Sequence, residues 1–231
     1  MARRPFHHGN LRAVLLEHAE TVLRERGLDA LSLRELAREA GVSHGAPRSH
    51  FIDRNALIDA LAVRGFTRLT EDVRGAAAGR PQDWLGAIRA AGAAYLTFAQ
   101  QDAALHEVMF AAKAERPSEV VLEAAQGLFT ALNELLYSGA AAGAYAESDV
   151  PRLGPMLLAN LQGTAAFITS RRTTPEEGSA LFDDAITVLI AGIGAERHPR
   201  TTPGPPHEAD PVNGRSTAGP TSAPSSSSGS R

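Results

Sequence analysis

The sequence predicts an all-α protein of about nine helices. Three observations carry this. Apolar residues recur at i, i+3, i+4 and i+7 along most of the chain, helix start and stop signals bracket those stretches, and no stretch alternates polar with apolar as a half-buried strand would. The 231 residues are 43% hydrophobic, enough for a small head and a larger body with its own core.

The first helix begins near Asn10, which is placed to cap it, and Leu11, Val14, Leu15, His18, Ala19, Val22 and Leu23 trace one face. Ser32 and Glu35 form an S-x-x-E capping box opening a second helix, whose buried face is Leu33, Leu36, Ala37 and Ala40. Gly41 stops it, and Ser43 is placed to cap a third short helix over residues 44–51. Two helices joined by so short a glycine turn match the helix-turn-helix pattern. Little of the third helix is apolar, so most of it must face solvent or a ligand.

A fourth helix starts near Asp53 or Arg54, reaches about Gly75, and connects head to body. Further helices are expected from Trp84 to about Asp102, around Leu105–Phe110, from Ser118 to about Gly139, and from between Pro151 and Pro155 to about Thr173. The last opens on Thr174, Pro175 and Glu177, an N-cap, a first-turn proline and a capping acid. Residues 139–148 are rich in Ala and Gly and are expected to form a loop. Residues 195–231 hold seven of the 14 prolines and seven serines but no aromatic residue. Such a segment buries too little surface to offset its ordering entropy, and a disordered tail is expected. The expected domains are a DNA-binding head at 1–54, a larger helical body at 55–194, and the tail.

Charge is unevenly spread. Residues 1–54 carry nine arginines against seven acids and five of the eight histidines, whereas the rest is net acidic by five. A basic head on an acidic body suits one end docking on a polyanion. There is no cysteine, hence no disulfide framework and no cysteine-based zinc site. No signal peptide or apolar run of membrane-spanning length is present, so a cytoplasmic location is expected. Catalytic patterns are missing too. His106-Glu107 lacks the second histidine of a zinc-protease helix because Phe110 stands there, and no Glu-x-x-His pair, phosphate loop or G-x-S-x-G elbow occurs. Neither an enzyme nor a cofactor is expected; a helical-bundle activity of unrecognised type is the remote alternative.

Residues 7–65 resemble the DNA-binding domain of the TetR family of bacterial transcriptional regulators. The resemblance rests on His7-His8-Gly9-Asn10-Leu11-Arg12, Gly27-Leu28-Asp29-Ala30, Leu33-Arg34-Glu35-Leu36-Ala37, Ala40-Gly41-Val42-Ser43, and His50-Phe51 before Asp53-Arg54. It implies a three-helix head, a helical ligand-binding body and a homodimer acting as a repressor on a near-palindromic operator. Members usually carry tyrosine where this chain has Arg48 and lysine where it has Arg54, so the operator sequence does not carry over.

On these readings Arg34, His44, Gly45, Ala46, Pro47 and Arg48 are expected to face base edges. Asn10, Ser32, Ser43, Ser49, His50 and Arg54 are expected to hold phosphates, with Arg3 and Arg4 adding contacts from a basic arm. A small, largely apolar effector is expected in a cavity lined by Phe66, Trp84, Ile88, Tyr95, Phe98, His106, Met109, Phe110, Phe129, Leu132, Asn133 and Tyr137. The dimer is expected through Leu157, Leu161, Thr164, Ala165 and Ile168 on one helix and Leu181, Ala185, Val188 and Leu189 on the next. A DNA-binding protein whose body is purely structural is the main alternative.

Overall fold

The computed structural model describes residues 11–80, 82–115 and 117–197; the expected arm with Arg3, Arg4 and Asn10, and the tail beyond Arg197, lie outside them. Among the described residues there are eight α-helices and no strand. They are α1 (Leu11–Arg26), α2 (Leu33–Glu39), α3 (Arg54–Ala77), α4 (Trp84–Gln101), α5 (Ala103–Glu115), α6 (Glu119–Ala141), α7 (Val150–Thr169) and α8 (Pro175–Arg197). Short 3-10 turns stand at Leu28–Ala30, Ala46–Ser49 and Glu147–Asp149. The all-α expectation is met, and the difference from nine lies at residues 44–51, which form a turn.

Side-chain caps open α2, α3, α4 and α8, whereas Ser118 stands at the cap position of α6 without a side-chain bond. Ser32 Oγ accepts from Glu35 N at 3.2 Å, Asp53 Oδ1 from Ala56 N at 2.8 Å, and Asp83 Oδ1 from Gly86 N at 2.9 Å. At α8 the box closes in both directions, with Glu177 N donating to Thr174 Oγ1 and Thr174 N donating to Glu177 Oε2. α2 ends where Gly41 takes a φ of 67°, a conformation that costs a residue with a Cβ. α8 runs to Arg197, three residues into the stretch read as tail.

α1, α2 and the turn at 46–49 enclose a small core of Leu15, Leu16, Leu23, Leu31, Leu36 and Phe51, all buried. α3 then passes from head to body and packs against α1, α4, α5 and α6. Its buried stripe of Leu57, Leu61, Phe66, Leu69 and Val73 extends one continuous core into the body. Each such side chain contributes roughly 1.5–3 kcal/mol on leaving water. α7 lies against α4, α6 and α8.

A charge lattice joins head to body. Glu20 of α1 ion-pairs with Arg64 Nε at 2.8 Å and Arg68 Nη1 at 3.3 Å on α3. Asp102, between α4 and α5, takes Arg24 Nη2 at 2.8 Å from α1 and the Arg68 guanidinium from α3. Arg68 also stacks over the Phe98 ring at 5.1 Å.

α4 and α8 approach closely at Gly92, where a Cβ would stand 2.1 Å from Cε1 of Phe182, a ring that is 1% exposed. Gly92→Ala is therefore expected to destabilise the protein by about 1–3 kcal/mol, because the buried ring has nowhere to retreat. Urea unfolding checks this, with a lowered midpoint at unchanged slope as the expected result.

Candidate nucleic-acid interface

The reading element is short for a physical reason. Gly45 carries the highest backbone entropy cost of any residue in a helix, and Pro47 lacks the N–H needed to continue one. The chain from Ser43 to Phe51 instead closes tight i→i+3 bonds: Ala46 N to Ser43 O at 3.0 Å, Arg48 N to Gly45 O at 3.2 Å and His50 N to Pro47 O at 3.0 Å. Gly45, not Ser43, occupies the cap position, and no side chain caps the turn. Pro47 is buried, so its place is in the packing and not at base edges; Ala46 is half-buried. His44, Gly45, Arg48, Ser49 and His50 remain exposed. Ser49 already donates to Ala46 O at 2.7 Å.

The cations of the head divide into committed and uncommitted. Arg26 and Arg38 bind Glu35 and Glu39 in a surface cluster, and the Arg38 guanidinium, then Arg26, holds the Glu35 carboxyl down at about 2. Arg54 donates to Leu28 O at 2.6 Å and Leu31 O at 3.1 Å, which ties the start of α3 to the turn after α1. Arg34 and Arg48 are exposed, and no carboxylate pairs with either among the described residues. Those two cations, like His44 and His50, are open to an approaching anion.

Residues 15–61 match the family model described as bacterial regulatory proteins, tetR family. A helix-turn-helix transcriptional regulator of uncharacterised role from Bacillus subtilis (YvdT) is 31% identical over 70 residues, which span 30% of this chain and 36% of that protein. The chain thus carries a tetR-family domain at residues 15–61. Over the whole fold, a protein of unknown function from Rhodococcus sp. RHA1 superposes with a TM-score of 0.73 at 34% identity, covering 83% of this chain and 99% of that one. The TetR-family regulator PfmR of Thermus thermophilus shares the fold, with a TM-score of 0.60 at 20% identity over 74% of this chain and 96% of its own. The head is thus a DNA-binding domain of the tetR type, and the whole chain shares the fold of the TetR-family regulator PfmR.

The body departs from the sequence reading. Phe66, Ile88, Tyr95, Phe98, Met109 and Leu132 are buried in one packed core. Four of the expected cavity residues cluster. Tyr95 Oη and His106 Nε2 are 3.0 Å apart, Phe110 lies 4.9 Å from the His106 ring, and Phe66 meets Phe110 edge-on at 5.5 Å. Trp84 stands elsewhere, roughly 16 Å along α4 from Tyr95. It packs edge-on against Tyr145, whose hydroxyl donates to Leu136 O and is pushed up to about 12 by burial. Tyr137 faces outward at 45% exposure and does not belong to an interior cavity. Asn133 lies at the α6–α7 contact beside Gly154.

A groove of about 870 Å³ opens between α5, α6 and α7. Leu122, Ala125, Gln126 and Phe129 form one wall, and Pro155, Leu158, Ala159 and Gln162 the other, with Lys113 and Glu123 among the lining. Of the expected ligand residues only Phe129 lines it. The missed signal is a pair of i, i+3/i+4, i+7 stripes on facing helices that are apolar yet incompletely buried.

The expected dimer residues also need correction. Leu157, Leu161, Thr164, Ala165 and Ile168 are buried within the protomer, because that face of α7 packs on α4, α6 and α8. Ala185 and Leu189 are half-buried. Met156, Phe167, Leu181 and Val188 are the exposed large apolar residues of these helices among the described side chains, Val188 at 71%.

Burial pulls His106 down to about 4. Its folded pKa lies below the unfolded value near 6.5, so the unfolded chain binds the extra proton between those limits. Stability is therefore full above about pH 6.5 and falls as pH drops towards 4, by roughly 2–3 kcal/mol. Comparing unfolding of the wild type and His106→Gln at pH 7 and pH 4.5 isolates this contribution, and the variant is expected to lose less stability over that interval.

Proposed function

We propose that the protein is a homodimeric repressor whose two heads occupy successive major grooves of a near-palindromic operator, about 34–36 Å apart, and which a small, largely apolar effector releases. The observation that carries the DNA reading is the exposure of His44, Arg48 and His50 on the turn, together with the uncommitted Arg34. In this reading Arg34 and Arg48 contact base edges. Ser32, Ser43, Ser49 and His50 hold phosphates through whatever bonding capacity their internal contacts leave. Arg54 acts by fixing α3 to the head. Such a role belongs in the bacterial cytoplasm, and among the described residues no helix is long and apolar enough to cross a membrane.

The exposed apolar residues Met156, Phe167, Leu181 and Val188 support a second copy docking on the α7–α8 face. The α5–α6–α7 groove supports an effector site better than the packed aromatic core does, since its volume suits a small molecule without rearrangement. Release then requires that the effector bind the DNA-free arrangement of the heads more tightly. The dense packing of Phe66, Ile88, Tyr95, Phe98 and Met109 favours a second reading, in which the body is purely structural and no effector exists. A Leu158→Trp variant separates the two when effector candidates are screened, because filling the groove should abolish release and leave operator affinity intact.

Selection of bound sites from random DNA is expected to return paired half-sites with two-fold symmetry; sequences without any shared pattern would refute specific readout. On such a site Arg48→Ala should reduce discrimination against the substituted base pair by about 1–3 kcal/mol. Val188→Glu should give a monomer by light scattering and, with it, a large loss of operator affinity.

A further inference from the structure

One head cation stands outside every role assigned above. Arg12 lies in the first turn of α1, exposed, with its guanidinium carbon 5.3 Å from the centroid of the Phe51 ring. Phe51 closes the reading turn: its N–H donates to Pro47 O at 2.9 Å, and its ring is 2% exposed. No carboxylate pairs with Arg12 among the described residues, whereas Arg24, more than two helical turns further along α1, is held by Asp102. The ring therefore fixes where the Arg12 charge stands without neutralising it. A planar guanidinium stacked on an aromatic face keeps its N–H edge free for hydrogen bonding.

We infer that Arg12 is a positioning residue for DNA binding, which grips a backbone phosphate flanking the reading turn. The inference rests on the DNA-binding reading. α1 lies beside the turn and not within it, so its first turn is suited to the backbone and not to the base edges. A phosphate contact sets register and adds affinity for any sequence, without adding discrimination. The stack on Phe51 matters because a long side chain held in place loses less freedom on binding than a mobile one.

The test measures affinity of the full chain for its selected site and for a scrambled duplex, from about 50 to 200 mM salt. Each phosphate contact contributes about 0.9 to the log–log salt slope. Arg12→Gln should lower affinity equally for both duplexes and make the slope shallower by about 0.9, so that the wild-type advantage shrinks about three-fold across that range. Arg12→Lys keeps the charge and should keep the slope. Arg80→Gln, just beyond the end of α3 on the body side, controls for net charge and should leave the slope unchanged. Thermal melts establish that each variant is folded. An unchanged slope in folded Arg12→Gln would overturn the inference, as would a loss confined to the selected site. A Lys variant as shallow as the Gln variant would also overturn it, by showing that the stack and not the charge matters. If the wild type itself shows no preference for the selected site, the specific-readout reading fails; the slope comparison still decides the role of Arg12.

Discussion

The structure depends on α3 carrying one core from the head into the body. Its 24 residues span about 36 Å, and its buried stripe runs unbroken from Leu57 near the head to Val73 in the body. Asp53 caps its first turn, and Arg54 ties that turn to the Leu28 and Leu31 carbonyls of the head. The same helix packs on α4, α5 and α6. A displacement of α3 in the body therefore carries the head with it, because close-packed cores transmit shifts and do not absorb them.

The charge lattice fixes the other edge of that joint. The Glu20 and Asp102 side chains are about 10% and 16% exposed, so their partners are not interchangeable surface cations. Each carboxylate has two arginine partners, and Arg68 is the one they share, so its removal weakens both largely desolvated acids at once and costs more than the loss of a surface pair. The exposed cluster of Arg26, Glu35, Arg38 and Glu39 sits in the opposite regime and adds little. Asp102 also accepts, through its backbone carbonyl, the N–H of His106, one turn into α5, and His106 bonds Tyr95. The polar pair in the body core and the ion pairs to α1 thus share one corner of the chain.

Local chemistry is legible in the sequence and long-range chemistry is not. The caps at Ser32, Asp53 and Thr174 are written in three or four consecutive residues, and each forms. The turn at Ala46–Ser49 reads as a helix only when its polarity is weighed above the combined effect of Gly45 and Pro47. On α7 the apolar residues cover more than one stripe, so the sequence does not distinguish Leu157 and Leu161, which face the protomer's core, from Met156 and Phe167, which face outward. The aromatic residues pose the same problem, since a packed core and a ligand cavity are built from the same side chains. No local pattern announces that Arg24 meets Asp102, 78 residues away.

On the proposed reading, the brevity of the reading turn bears on why two heads would be needed. A four-residue 3-10 turn presents fewer side chains than a full recognition helix, and here Pro47 is buried while the Ser49 hydroxyl is bonded to its own turn. On the proposed reading Arg48 and Arg34 are then the main groups able to discriminate bases. At about 1–3 kcal/mol for a good bidentate contact, one head supplies roughly 2–6 kcal/mol of discrimination. Specific sites generally exceed non-specific ones by about 4–10 kcal/mol. Two heads on a symmetric site reach that range, whereas one head reaches only its lower part. On the proposed reading, the exposed apolar face of α7 and α8 is therefore part of the recognition chemistry: pairing through it doubles a reading edge that is too short to work alone.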